Sequence, residues 1–256
     1  MNFLVVMSLS SLLCVAVIGV LRLKHLCTEM RLLSLFFSIS LILSIFQLVL
    51  ALKSVNNLWL QHVYTLAMFC FYVVVMSYWQ INKKTARLLS RHLIIGFIFV
   101  WIFSKFSLEN FRHFDVYTSG LAYIVILTLV CYTMFVLAKT TSSKFLGDYR
   151  FWVLSGVLIS SISSTVVISS GNLVLNLTPD QILQLWRIHW VTLTVAHILY
   201  SIAFLLKQSD STVQGTTLGS SFRPVHDIAV WFDRRTAARR EPYHHGSAQS
   251  APRPGS

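Results

Sequence analysis

Acidic side chains are scarce in this sequence: nine Asp and Glu stand among 256 residues, against 21 Lys and Arg, and only 12% of the chain is charged. None of the acids falls inside a long apolar run. Glu109 and Asp115 share one connection, and Glu29 and Asp148 lie in others. Proton-coupled carriers commonly depend on carboxylates buried in the membrane, so that mechanism lacks its usual residues. No two carboxylates are spaced for acid and base work, and there is no H-E-x-x-H sequence. The four cysteines give neither a disulfide framework nor a C-x-x-C site, because Cys14, Cys70 and Cys131 sit inside apolar runs and Cys27 in a short charged loop. No metal site is expected. No basic residue precedes the first apolar run, and its first charges, Arg22 and Lys24, follow it, so the run reads as a retained helix rather than a cleaved signal peptide. No internal repeat stands out. The breaks at Gly171-Asn172 and Pro179 have no counterpart earlier in the chain, which weighs against a transporter built from duplicated halves.

What the chain has in quantity is apolar surface. Hydrophobic residues make up 55% of it and the mean hydropathy is +0.67, whereas a soluble domain carries about 25% charged residues, so lipid is the expected solvent. A helix needs about 20 residues at about 1.5 Å each to cross a hydrocarbon core of about 30 Å. The apolar segments run from Asn2 to Leu21, Leu32 to Leu52, Leu58 to Trp79, Leu93 to Phe106, Ser119 to Ala138, Phe151 to Leu175, and Leu183 to Leu206. The fourth is short and reaches span length only by continuing past Lys105 to about Leu108, with the lysine snorkelling to the interface. The expected fold is an all-α seven-helix transmembrane bundle over residues 1–207, in the inner (plasma) membrane of a bacterium.

Basic residues set its orientation. Arg22, Lys24 and Arg31, then Lys83, Lys84, Arg87 and Arg91, then Lys139, Lys144 and Arg150 fill alternate connections, while the others hold only Lys53, Lys105, Arg112 and Arg187. The N-terminus is expected outside and the C-terminus in the cytoplasm. The net charge of +12 is explained by these orientation signals and by attraction to anionic headgroups, so no nucleic-acid partner is expected. Residues 208–256 turn to Ser, Thr, Gly and Pro with scattered charge, the composition of a flexible basic cytoplasmic tail. Within it, Ile228 to Phe232 followed by Arg234 and Arg235 has the makings of a short amphipathic element.

Depth in the expected topology groups the polar residues. Gln61, His62, Tyr64 and Thr65 fall near the outer end of the third span, Tyr123 near that of the fifth, Asn172 at that of the sixth, and Trp186, Arg187, His189 and Trp190 in the outer third of the seventh. Tryptophan and tyrosine at that level also serve as an interfacial belt, and Arg187 can snorkel to headgroups. Imidazoles need another reason, since ionisable groups in a membrane are costly and usually face the interior or a site. Deeper in the seventh span, Trp190, Thr194, His197 and Ser201 recur at i, i+4, i+7 and i+11 and form one helix face. The sixth span offers it Gly156, Ser160 and Ser164, small residues whose spacing lets helices approach and whose hydroxyls bond across the contact. A hydrated path along these hydroxyls is the alternative use. No lysine lies in the middle of the seventh span to hold retinal. His62 and His189 alone would suit one haem, but no second pair reinforces it, and no cofactor is expected.

Asn57-Leu58-Trp59 with His62-Val63-Tyr64-Thr65, Phe151-Trp152 with Gly156, and Leu185-Trp186 with Ile188-His189 resemble stretches of small bacterial seven-span membrane proteins of unassigned activity. The resemblance covers about Leu32 to Leu206; it implies the same seven-helix bundle and supplies no activity. The layout is also similar to seven-span sensor modules, without the output domain that follows them, so a signal would leave through a cytoplasmic or membrane partner. The expected function is receptor-like or sensory, with a small ligand bound near the outer face by His62, His189 and Arg187 and by the rings of Trp186 and Trp190. The alternative is a small transporter or channel along the sixth and seventh helices. An intramembrane enzyme has no nucleophile in its favour.

Overall fold

The computed structural model describes residues 3–111, 115–140, 145–170 and 178–206. The chain divides into two units, Met1–Ser209 and Asp210–Ser256, and the second, with the expected tail, lies outside the described residues, as do Asn172 and Arg112. Among the described residues there are no strands. Seven helices are long and apolar enough to cross a membrane. They are α1 (Phe3–Leu21), α2 (Thr28–Leu52), α3 (Leu58–Tyr78), α4 (Lys83–Ser107), α5 (Val116–Thr140), α6 (Tyr149–Ser170) and α7 (Pro179–Leu205). Helices suit such sequences because every backbone group is satisfied within the segment.

The helix ends follow from local chemistry. Thr178 and Gln181 form a reciprocal capping box with Pro179 in the first turn, so α7 starts before the apolar run at Leu183. Asn82 accepts a hydrogen bond from the Thr85 amide, which starts α4 at Lys83 rather than at Leu93. The fourth span therefore gains its length at its basic end. At the end of α7, an Arg22 Nη donates to the Phe204 carbonyl, placing a cation on the last-turn oxygens that lack helical partners.

Each helix runs antiparallel to the next and packs on it, and α1 against α7 closes the ring. α3 also packs on α5, while α4 rests mainly on α3 and only lightly on α5. The core is aromatic: Phe69 stacks on Phe97 at 3.9 Å, and Phe37 lies 4.7 Å from the Tyr200 ring. Outward faces carry large apolar groups such as Ile42, Phe99 and Phe106, the last 87% exposed, as expected where lipid is the solvent. The end at which α1, α3, α5 and α7 begin is called the upper end below, and the opposite one the lower end.

Candidate functional site

The upper ends of α3, α4 and α5 enclose a group of ionisable side chains. α3 turns His62 and Thr65 inward, three residues apart on one face, and both are 0% exposed. After α4 ends, the chain folds back over them. The Phe111 ring meets the His62 imidazole edge-on at 5.1 Å, and the Trp101 indole N–H donates to the His62 carbonyl at 3.1 Å. Asp115, 2% exposed, directly precedes α5 and sets its Oδ2 3.9 Å from His62 Nδ1.

A second pair ties the same connection together. Lys105 Nζ donates to Glu109 Oε2 at 2.5 Å and to Thr118 Oγ1 at 3.0 Å. Glu109 also accepts from the Tyr117 and Thr118 amides, at 2.5 and 3.1 Å, and from the Thr118 hydroxyl at 2.7 Å. A carboxylate thus caps the first turn of α5, whose amides have no helical partner, while a cation sits in the last turn of α4; both suit the helix dipoles. Lys105 does not snorkel: its side chain is 4% exposed, because Glu109 offers it a partner inside the fold.

The two carboxyls are held in opposite ways. Burial works to raise the Glu109 carboxyl, but Lys105 and Thr118 outweigh it and keep it below the ordinary value. Burial dominates at Asp115 and lifts it to about 6, although Ser119, the Lys105 charge and Thr65 pull it back. The His62 and Asp115 side chains thus face each other at 3.9 Å inside the fold. Among the described residues, no three His, Cys, Asp or Glu side chains converge to hold a metal ion.

The other nominated residues fall into separate groups. Gln61 and Tyr64 are half-buried on α3, and Tyr64 lies 6.1 Å from Phe36 of α2. Tyr123 is buried on α5 beside Ser164 of α6. On α7, His189 Nδ1 shares a hydrogen bond with Ser163 Oγ of α6 at 3.0 Å, and its ring lies 5.7 Å from Trp186, which is 6.0 Å from Trp190. Arg187 is exposed. His62 is thus built into the α4 to α5 connection and His189 into the contact with α6.

The seam on α7 also divides. Thr194 and Ser201 donate to the carbonyls of Trp190 and His197 in their own helix. His197 Nδ1 meets Ser11 Oγ of α1 at 2.8 Å, rather than a serine of α6. Ser160 lies 3.4 Å from the Tyr200 hydroxyl, which is 3.3 Å from that of Tyr72. Sequence reasoning passed over Lys105 and Glu109 as a site, although their i, i+4 spacing at a helix end was a usable signal. It also passed over Asp115, Ser11, Tyr72 and Tyr200. Tyr200 was open to discovery, since it follows His197 by three on the same face.

The fold and this site define an all-helical protein with seven membrane-span-like helices and an ionisable cluster enclosed at one end. No protein-family model, curated protein or solved structure matches the chain.

Proposed function

We propose that this is a receptor-like or sensory protein of a bacterial inner membrane, with its upper end outside and the segment after α7 in the cytoplasm, and that a small polar ligand acts at the upper end. The orientation rests on the basic residues of the lower connections. The observation that carries the reading is the buried His62 and Asp115 pair, 3.9 Å apart beside Thr65 and the Lys105–Glu109 pair. Buried ionisable groups are costly, and where they lie near a surface with a raised carboxyl they mark candidate sites. Ligand contact there would move the connection from α4 to α5, and the signal would leave through a partner. The serines of α6 bond to Tyr200, His189 and Tyr123 across helix contacts, which supports a packing seam over a carrier's hydrated path.

The test is an experimental structure of the full chain in nanodiscs, purified without added ligand. Density for a non-protein molecule touching His62, Thr65 or Asp115 is expected. Close-packed side chains there, with no space for a ligand, would make the cluster a helix-packing device and overturn the reading.

A further inference from the structure

A cleft of about 420 Å³ opens between the lower ends of α3 and α4. Here α4 rests mainly on α3 and only lightly on α5. The two walls differ along their length. Toward the lower end the lining holds Lys83, Arg87 and Arg91, which recur at four-residue spacing and so form one stripe on α4. Ser77 and Ser90 add hydroxyls, and Val74, Ile94 and Ile95 line the part nearer the bundle's middle. The lining contains no carboxylate. Glu109, Asp148 and Glu29 have partners of their own: Lys105, Arg150 and the Tyr149 hydroxyl.

An anion would relieve the charge placement here. Lys83, Lys84, Arg87 and Arg91 crowd the first turns of α4, where the helix dipole is positive and disfavours cations. The occupant that satisfies both walls has a negative head and an apolar stem. We infer that this cleft binds an anionic phospholipid of the surrounding bilayer, with its phosphate among Lys83, Arg87, Arg91 and the two serines and an acyl chain along Val74, Ile94 and Ile95. Basic pockets between helices commonly take such headgroups. The bound lipid fills the gap beneath α4 and steadies that helix, which has the smallest buried share of the seven.

The experiment uses the full chain in micelles, titrated with phosphatidylglycerol, with phosphatidylcholine, or with inorganic phosphate alone, and read by native mass spectrometry and thermal unfolding. Phosphatidylglycerol is expected to bind and raise the unfolding temperature, while phosphatidylcholine and phosphate do not. Each lost cation removes about 1 kcal/mol of attraction, so Arg87→Gln weakens binding roughly fivefold and Arg87→Gln with Arg91→Gln about thirtyfold. Lys53→Gln, in the upper connection after α2, binds as the wild type does and controls for net charge. Equal binding of the two lipids, unchanged binding in the double variant, or stabilisation by phosphate alone would each overturn the assignment. Because micelles have no sidedness, the result does not depend on the proposed orientation or on the upper site.

Discussion

Asp115 offers the sharpest residue-level expectation. Its carboxyl rises from 3.8 to about 6 in the fold, so the folded protein holds the proton more tightly than the unfolded chain does. The stability linked to that proton is complete below about pH 4 and is lost as pH climbs through about 6, amounting to about 2 to 3 kcal/mol at neutral pH. Asp115→Asn removes the dependence. The gain of the variant over the wild type should therefore grow between about pH 4 and 6 and level off above that, measured by thermal unfolding in micelles, and a constant difference would contradict the raised value. Glu109 behaves otherwise, because its removal strands a buried Lys105 and two amides of α5. Glu109→Ala should cost about 3 to 5 kcal/mol, as expected when one partner of a buried pair is deleted, and Glu109→Gln less, since the amide oxygen still caps the helix. Unfolding of the two variants beside the wild type gives that ranking. The sequence made His62 visible as an imidazole in an apolar run. It could not show Asp115, because the partner lies in a connection whose path depends on how Phe111 and Trp101 pack over α3.

At the scale of the helix, close approach decides which small residues matter. A Cβ on Gly156 of α6 would come within 2.7 Å of Cε1 of Tyr200, a buried ring that also bonds Tyr72. Gly96 on α4 would meet nothing within 4 Å. Gly156→Ala should destabilise the protein by about 1 to 3 kcal/mol through overpacking, whereas Gly96→Ala should be neutral or stabilising by up to about 1 kcal/mol from helix propensity. Thermal unfolding of both variants tests the contrast, and equal losses would mean that α6 and α7 do not meet at Gly156. The small-residue spacing in α6 was legible in the sequence, and so was the helix it would approach. Which side chain fills the approach was not, because His197 and Tyr200 share a face of α7 and only packing sends the first to Ser11 of α1 and the second to Gly156. α4 was the element misjudged in length. Its lower turns alternate cations with apolar residues, so a search for unbroken apolar runs stops at Leu93, while the Asn82 cap starts the helix at Lys83.

At the scale of the whole molecule, the number of helices was legible because lipid demands long apolar runs, and this demand is felt along the sequence rather than across the fold. Orientation depends on a different signal, the distribution of Lys and Arg between connections, and it can be measured separately. Val55 lies in the upper connection between α2 and α3, and Ile81 in the lower one between α3 and α4; both are exposed. The native thiols must first be replaced. Cys14 and Cys131 are exposed, and even Cys27, whose thiol is pushed up to about 11 by burial and then by the charge of Glu29, would react slowly. With all four replaced, a membrane-impermeant maleimide should label Val55→Cys on intact cells and Ile81→Cys only after the membrane is opened. The reverse pattern would place the Lys83, Arg87 and Arg91 stripe outside and the His62 and Asp115 cluster inside. The upper site would then face the cytoplasm, and a ligand reaching it would have to come from within the cell.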